Sequence, residues 1–246
     1  MRGKGLTASL FAASMLLALL VTSIVDADAM VGDFEAGLSA FRKDMIVACA
    51  QFQAGAPRES KAQFDQELAA LQAAWASLGA EYRNAPPAAY AGDAKWPSYF
   101  GSVSENLAAM RAAVSENRFS KAFEICGSTC AVFVTMHETN GISTVCDKLF
   151  EFRKQAKLML AQIKSGHKDA AVSRLPSLLA QRDAAILVPL SQRAAQERDE
   201  YLRLQGEFSA AVDGFATALI NDPPAAVVNA YDAMMQAFGR FYNRYI

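Results

Sequence analysis

Residues 34–52 read FEAGLSAFRKDMIVACAQF, and the spacing of the large apolar side chains in this stretch decides the fold class. Phe34, Leu38, Phe41, Met45, Cys49 and Phe52 recur at steps of three and four residues. That spacing puts them on one face of an α-helix. The stripe runs out at Gly55-Ala56-Pro57, where glycine and proline end a helix.

The same period continues outward from this helix. A second helix is expected from about Glu59 to Arg83, with Phe64, Leu68, Leu71, Trp75 and Leu78 turned inward. Asn84-Ala85-Pro86-Pro87 breaks it, and a loop follows to Pro97. A third helix carries Phe100, Val103, Leu107, Met110 and Val114. A fourth carries Phe119, Ala122, Phe123, Cys126, Cys130, Phe133 and His137. It closes at Asn140-Gly141, a pair suited to a left-handed C-terminal cap. β-Branched residues are scattered and do not alternate, so the chain reads as all-α.

The pattern then starts again. Phe41-Arg42-Lys43 matches Phe152-Arg153-Lys154, Gln51 matches Gln162, and Gly55 matches Gly166, all at one offset. Near the ends of the halves, Ala122-Phe123-Glu124 matches Ala230-Tyr231-Asp232. Cys126 then falls on Met234, Cys130 on Phe238 and Phe133 on Phe241. The halves therefore read as a duplication, the alternative being chance similarity between two amphipathic helical sequences. The reading is two tandem up-down-up-down four-helix bundles, over 30–141 and 142–246.

The N-terminal stretch lies outside that scheme. Arg2 and Lys4 precede an uncharged apolar run from Leu10 to Val25, followed by Ala27-Asp28-Ala29. This order is that of a secretory signal peptide, residues 1–29, cut after Ala29. The mature protein is therefore expected in the periplasm or secreted. No later segment offers an apolar run long enough for a transmembrane anchor. Net charge is −1 with both signs interspersed. That balance gives no basic stripe for nucleic acid and leaves a protein partner or a homo-oligomer open.

Four cysteines in an exported chain define the candidate site. If the first and fourth helices are antiparallel neighbours, Cys49 and Cys126 fall at similar levels along the bundle. Met45 lies one turn deeper on one helix and Cys130 one turn deeper on the other. Soft thiolate and thioether groups suit copper as Cu(I), so Met45, Cys49, Cys126 and Cys130 are expected as metal ligands. Met136, His137 and Cys146 form a second, weaker candidate set. The same sulfurs also allow a plainer chemistry, disulfides Cys49–Cys126 and Cys130–Cys146, with Met45 as core. His137 on an inward stripe is equally a hydrogen-bonded core residue.

Cys126-Gly127-Ser128-Thr129-Cys130, on a last helix preceded by Glu116-Asn117-Arg118, resembles the cytochrome c′ type of four-helix bundle. The resemblance covers about one half of the mature chain and implies an exported haem bundle. That family has two residues between its cysteines and a histidine after the second. This chain has three, and Ala131 follows, so the likeness is to a haem-less relative without covalent haem. A b-type cytochrome bundle, with Met30 and His137 as iron ligands, is the corresponding noncovalent alternative.

Catalytic patterns are missing from the sequence. It contains no Gly-rich phosphate loop, no HExxH and no Ser-His-Asp set, and Glu124, Glu138 and Asp147 do not pair as acid and base. The expected function is non-catalytic binding of a soft metal through the Cys/Met cluster. The alternatives are a disulfide-stapled interaction or scaffold protein and a haem electron carrier.

Overall fold

A computed structural model describes residues 33–52, 61–189 and 195–245. The expected signal peptide, Met30 and the Gly55-Ala56-Pro57 break lie outside these residues. The described chain is all-α, and among the described residues there is no β-strand. No described helix is long and apolar enough to cross a membrane.

The helices are α1 (33–52), α2 (Lys61–Tyr82), α3 (Trp96–Ser115), α4 (Phe119–Thr139), α5 (Val145–Lys164), α6 (Lys168–Val172), α7 (Leu175–Ile186), α8 (Arg198–Asn221) and α9 (Pro224–Tyr245). A 3-10 turn, Ala88–Tyr90, lies in the loop before α3. The chain divides into two compact units between Val132 and Phe133, inside α4. The sequence places the break at Asn140-Gly141. The last turns of α4, with buried Phe133, Met136 and His137, belong instead to the second unit.

The first unit is a helical bundle built on aromatic side chains. Every residue of the α1 stripe is buried, from Phe34 at 0% to Cys49 at 8% exposure. Phe41 packs on Trp75 of α2 (ring centroids 5.0 Å apart) and Phe52 on Phe64 (5.4 Å). Phe34 meets Tyr82, Tyr90 and Trp96 edge-on at 5.1–5.4 Å. Two indole N–H groups then tie helices to backbone. Trp75 Nε1 donates to the Phe100 carbonyl (3.0 Å) and Trp96 Nε1 to the Tyr82 carbonyl (2.8 Å). A buried indole must find such a partner, so these bonds fix α2 against α3. Tyr90 hydroxyl donates to the Glu35 carboxylate of α1.

The second unit repeats this logic without tryptophan. Phe152 of α5 meets Phe208 of α8 (4.9 Å) and Phe238 of α9 (5.9 Å). Tyr201 meets Phe241 at 5.3 Å. α5 packs on α6, α7 and α9, and α8 packs on α6, α7 and α9. The helix pair α6–α7 is a rod interrupted at Ser173 and Arg174, with Pro176 in the first turn of α7, where its missing N–H costs nothing.

Helix ends follow one recurring device. After α4, Ile142 N–H bonds the His137 carbonyl (2.9 Å) and Gly141, at φ 69°, bonds Glu138 (3.3 Å). After α5, His167 bonds Gln162 (2.8 Å) and Gly166, at φ 81°, bonds Ile163 (3.1 Å). Both are Schellman caps, and the left-handed residue is the expected glycine. α3 ends in the same way with Asn117 at φ 57°, a residue that tolerates this region better than other side chains.

Candidate functional site

Two lines of sequence meet where α1 faces α4. The stripe of α1 brings Cys49 inward, and that of α4 brings Cys126 inward. Their sulfurs are joined in a disulfide, with Cα atoms 6.2 Å apart. That separation is within the normal range for a bridge. The bridge spans 77 residues of sequence and staples the first helix of the unit to the last. A disulfide is compatible with an oxidising, exported compartment.

The four expected copper ligands are thus placed as follows. Cys49 and Cys126 come together, but as partners of each other, because two thiols at bonding distance oxidise to one bridge. Met45 is fully buried one turn before Cys49, and Cys130 lies one turn after Cys126 at 8% exposure. Cys130 and Cys146 are buried thiols, so the second bridge that the sequence allows is not formed. Among the described residues, no three His, Cys, Asp or Glu side chains gather as a metal-binding group.

A sulfur outside the expected set joins the bridge. Met110 Sδ of α3 lies 3.3 Å from Cys126 Sγ. A disulfide sulfur has no proton to donate, so this is a sulfur–sulfur contact. Met110 is at 0% exposure and Cys126 at 3%. A polarizable thioether fills an irregular core gap well, and here it fills the space beside the bridge.

The second candidate set resolves into a polar network. Met136, His137 and Cys146 are all buried in the second unit. His137 Nδ1 lies 2.5 Å from Asp147 Oδ2, and Asp147 is 3% exposed. Thr144 hydroxyl donates to the same carboxylate (2.6 Å), while Asp147 N–H donates to Thr144 Oγ1 (3.2 Å). A carboxylate only accepts, which places the ring proton on Nδ1. Thr144 is the N-cap of α5, its hydroxyl oxygen accepting from the Asp147 N–H while its proton goes to the Asp147 carboxylate. The Asp147 carboxylate therefore ties the N-cap residue of α5 to His137 near the end of α4.

Elsewhere, desolvation by the surrounding side chains and then the Arg153 guanidinium, one turn away on α5, lower the Lys157 ammonium to about 8, although the side chain is exposed. Burial raises Tyr231 above the usual phenol range. Exposed ion pairs such as Lys121–Glu124 (3.0 Å) and Arg244–Glu197 (2.7 Å) decorate helix surfaces, where each contributes little. The positions matching Cys126 and Cys130 in the second half, Met234 and Phe238, are buried at 0% and 4%. Phe238 packs on Phe152 and Phe208, so aromatic packing stands at the position that matches Cys130.

No family model matches the chain, and no match is found among curated proteins or solved structures.

Proposed function

We propose that the protein is an exported, non-catalytic interaction or scaffold module made of two duplicated four-helix bundles, the first stapled by Cys49–Cys126. One observation carries the reading: the two cysteines best placed to hold a metal are bonded to each other. In that state they supply no thiolate, and thiolate is the form that binds metals. His137 of the second candidate set is bonded to the buried Asp147 carboxylate, which also takes the Thr144 hydroxyl.

Duplication is supported by neighbour order. In the first unit α1 meets α2 through Phe41–Trp75, α2 packs on α3, α3 meets α4 through Met110–Cys126, and the bridge closes α4 to α1. In the second, α5 meets α6–α7, that rod meets α8, α8 meets α9, and α9 meets α5. The bridge, together with a leader-like N-terminus, supports export to an oxidising compartment.

The test is metal analysis and visible absorption of full-length protein purified from its own oxidising compartment without reductant. The expected result is neither stoichiometric copper nor a haem band. Copper bound at one or more ions per chain, with all four thiols titratable, overturns the reading. A haem band overturns it in favour of electron transfer.

A further inference from the structure

The bridge is packed in a way that a staple alone does not require. Three sulfur atoms, from α1, α3 and α4, meet in the dry interior of the first unit. A fourth, Met45, is fully buried one turn from Cys49. The second unit keeps the pattern with Leu160 where the first has Cys49 and Met234 where it has Cys126. The bundle scheme is thus satisfied in the second unit without cysteines at those positions.

We infer that reduction of Cys49–Cys126 turns this junction into a Cu(I) site, with Cys49 and Cys126 as thiolate ligands and Met110 as a thioether ligand. The reductant is a dithiol. It gives two electrons and two protons to the bridge, yielding two protein thiols, and itself leaves as a disulfide. Cu(I) then displaces the two thiol protons and takes both thiolates, so the metal does not change oxidation state.

Three physical points favour this ion. Thiolate and thioether are the soft donors that select Cu(I). Metal–thiolate bonds of about 2.3 Å hold two sulfurs about 4 Å apart. Cysteines whose Cα atoms lie 6.2 Å apart reach that by side-chain rotation with little movement of the helices. Zn(II) instead wants four N, S or O ligands, and among the described residues no group of three His, Cys, Asp or Glu converges to supply them. The apolar burial of the cluster also keeps water from competing for the ion.

The experiment titrates reduced, full-length protein with Cu(I) held by bicinchoninate under anaerobic conditions, with helix content followed in parallel. The expected result is one tightly held Cu(I) per reduced chain and none in the oxidised protein. Met110→Leu, which conserves volume, should weaken binding at least tenfold while leaving helix content unchanged. Three results overturn the inference: reduced protein that takes no Cu(I), Met110→Leu with unaltered affinity, or undiminished binding in the Cys49→Ser/Cys126→Ser variant. Should the reduced chain lose helix, Cu(I) must restore it; failure to do so also overturns the inference. These failures leave the scaffold reading standing, because that reading concerns the oxidised protein.

Discussion

Removing the Cys49–Cys126 bridge should destabilise the first unit and should be readable there alone. The bridge closes 77 residues of chain. The loop-entropy relation gives ~15 cal/mol/K for a loop of that length, or ~4.5 kcal/mol at 25 °C. Removal of native bridges commonly costs ~2–5 kcal/mol, so a loss of ~3 kcal/mol is the working figure. With a urea slope of ~2 kcal/mol/M, the midpoint should fall by ~1.5 M. The chain has two tryptophans, Trp75 and Trp96, at 2% and 1% exposure, and both lie in the first unit. Tryptophan emission in urea therefore reports that unit. Wild type with reductant, and Cys49→Ala/Cys126→Ala without it, should both show the shift, and reductant should add nothing to the double variant. An unchanged wild-type midpoint on reduction, or a double variant that still responds to reductant, refutes the reasoning.

Further outcomes follow from the helix ends, the polar network and one lysine. Thr144→Ala removes a capping side chain and should cost ~1 kcal/mol. Asp147→Ala should cost more, ~2–4 kcal/mol, since it also strips a buried hydrogen bond from His137; urea unfolding followed by circular dichroism gives the order. Gly141→Ala, at φ 69°, should destabilise by ~1 kcal/mol. Gly127→Ala, inside α4 with open space around a new Cβ, should stabilise by up to ~1 kcal/mol. Lys157 titrates near 8 in the fold and near 10.5 when unfolded, so the folded state binds fewer protons between those values. Stability should therefore rise with pH across that window. Lys157→Gln should stabilise by ~0.5–1 kcal/mol at pH 7, after allowance for solvent screening, with the gain vanishing above about pH 10.5, as urea unfolding at several pH values would show.

How much of this was legible in sequence differs from element to element. The α1 stripe is written in three- and four-residue steps, and all six of its members are buried. The meeting of Cys49 and Cys126 could be read because both levels can be counted from helix ends at ~1.5 Å per residue. Whether two converging thiols form a bridge or hold an ion is chemistry that periodicity does not contain. Met110 was visible as a core residue of α3 but not as a neighbour of the bridge. Its signal is the tight turn at Glu116-Asn117-Arg118, which folds α4 back along α3 and sets Met110 and Cys126 at nearly mirrored distances from the turn. Asp147 was missed because it was weighed as a candidate acid. Thr144 three residues before it marks a helix N-cap, which names one of its partners. The division inside α4 was not legible, because a stripe continuous through Phe133 and His137 does not say which unit each turn packs against.

The central claim is that α1 and α4 are held by one bridge and that the remaining cysteines are thiols. Alkylation of the unreduced, denatured protein, followed by peptide mass mapping, tests it most directly. Label on Cys130 and Cys146 alone, with a linked peptide pair containing Cys49 and Cys126, is the expected result. Label on all four cysteines, or a linked pair containing Cys130 and Cys146, contradicts it.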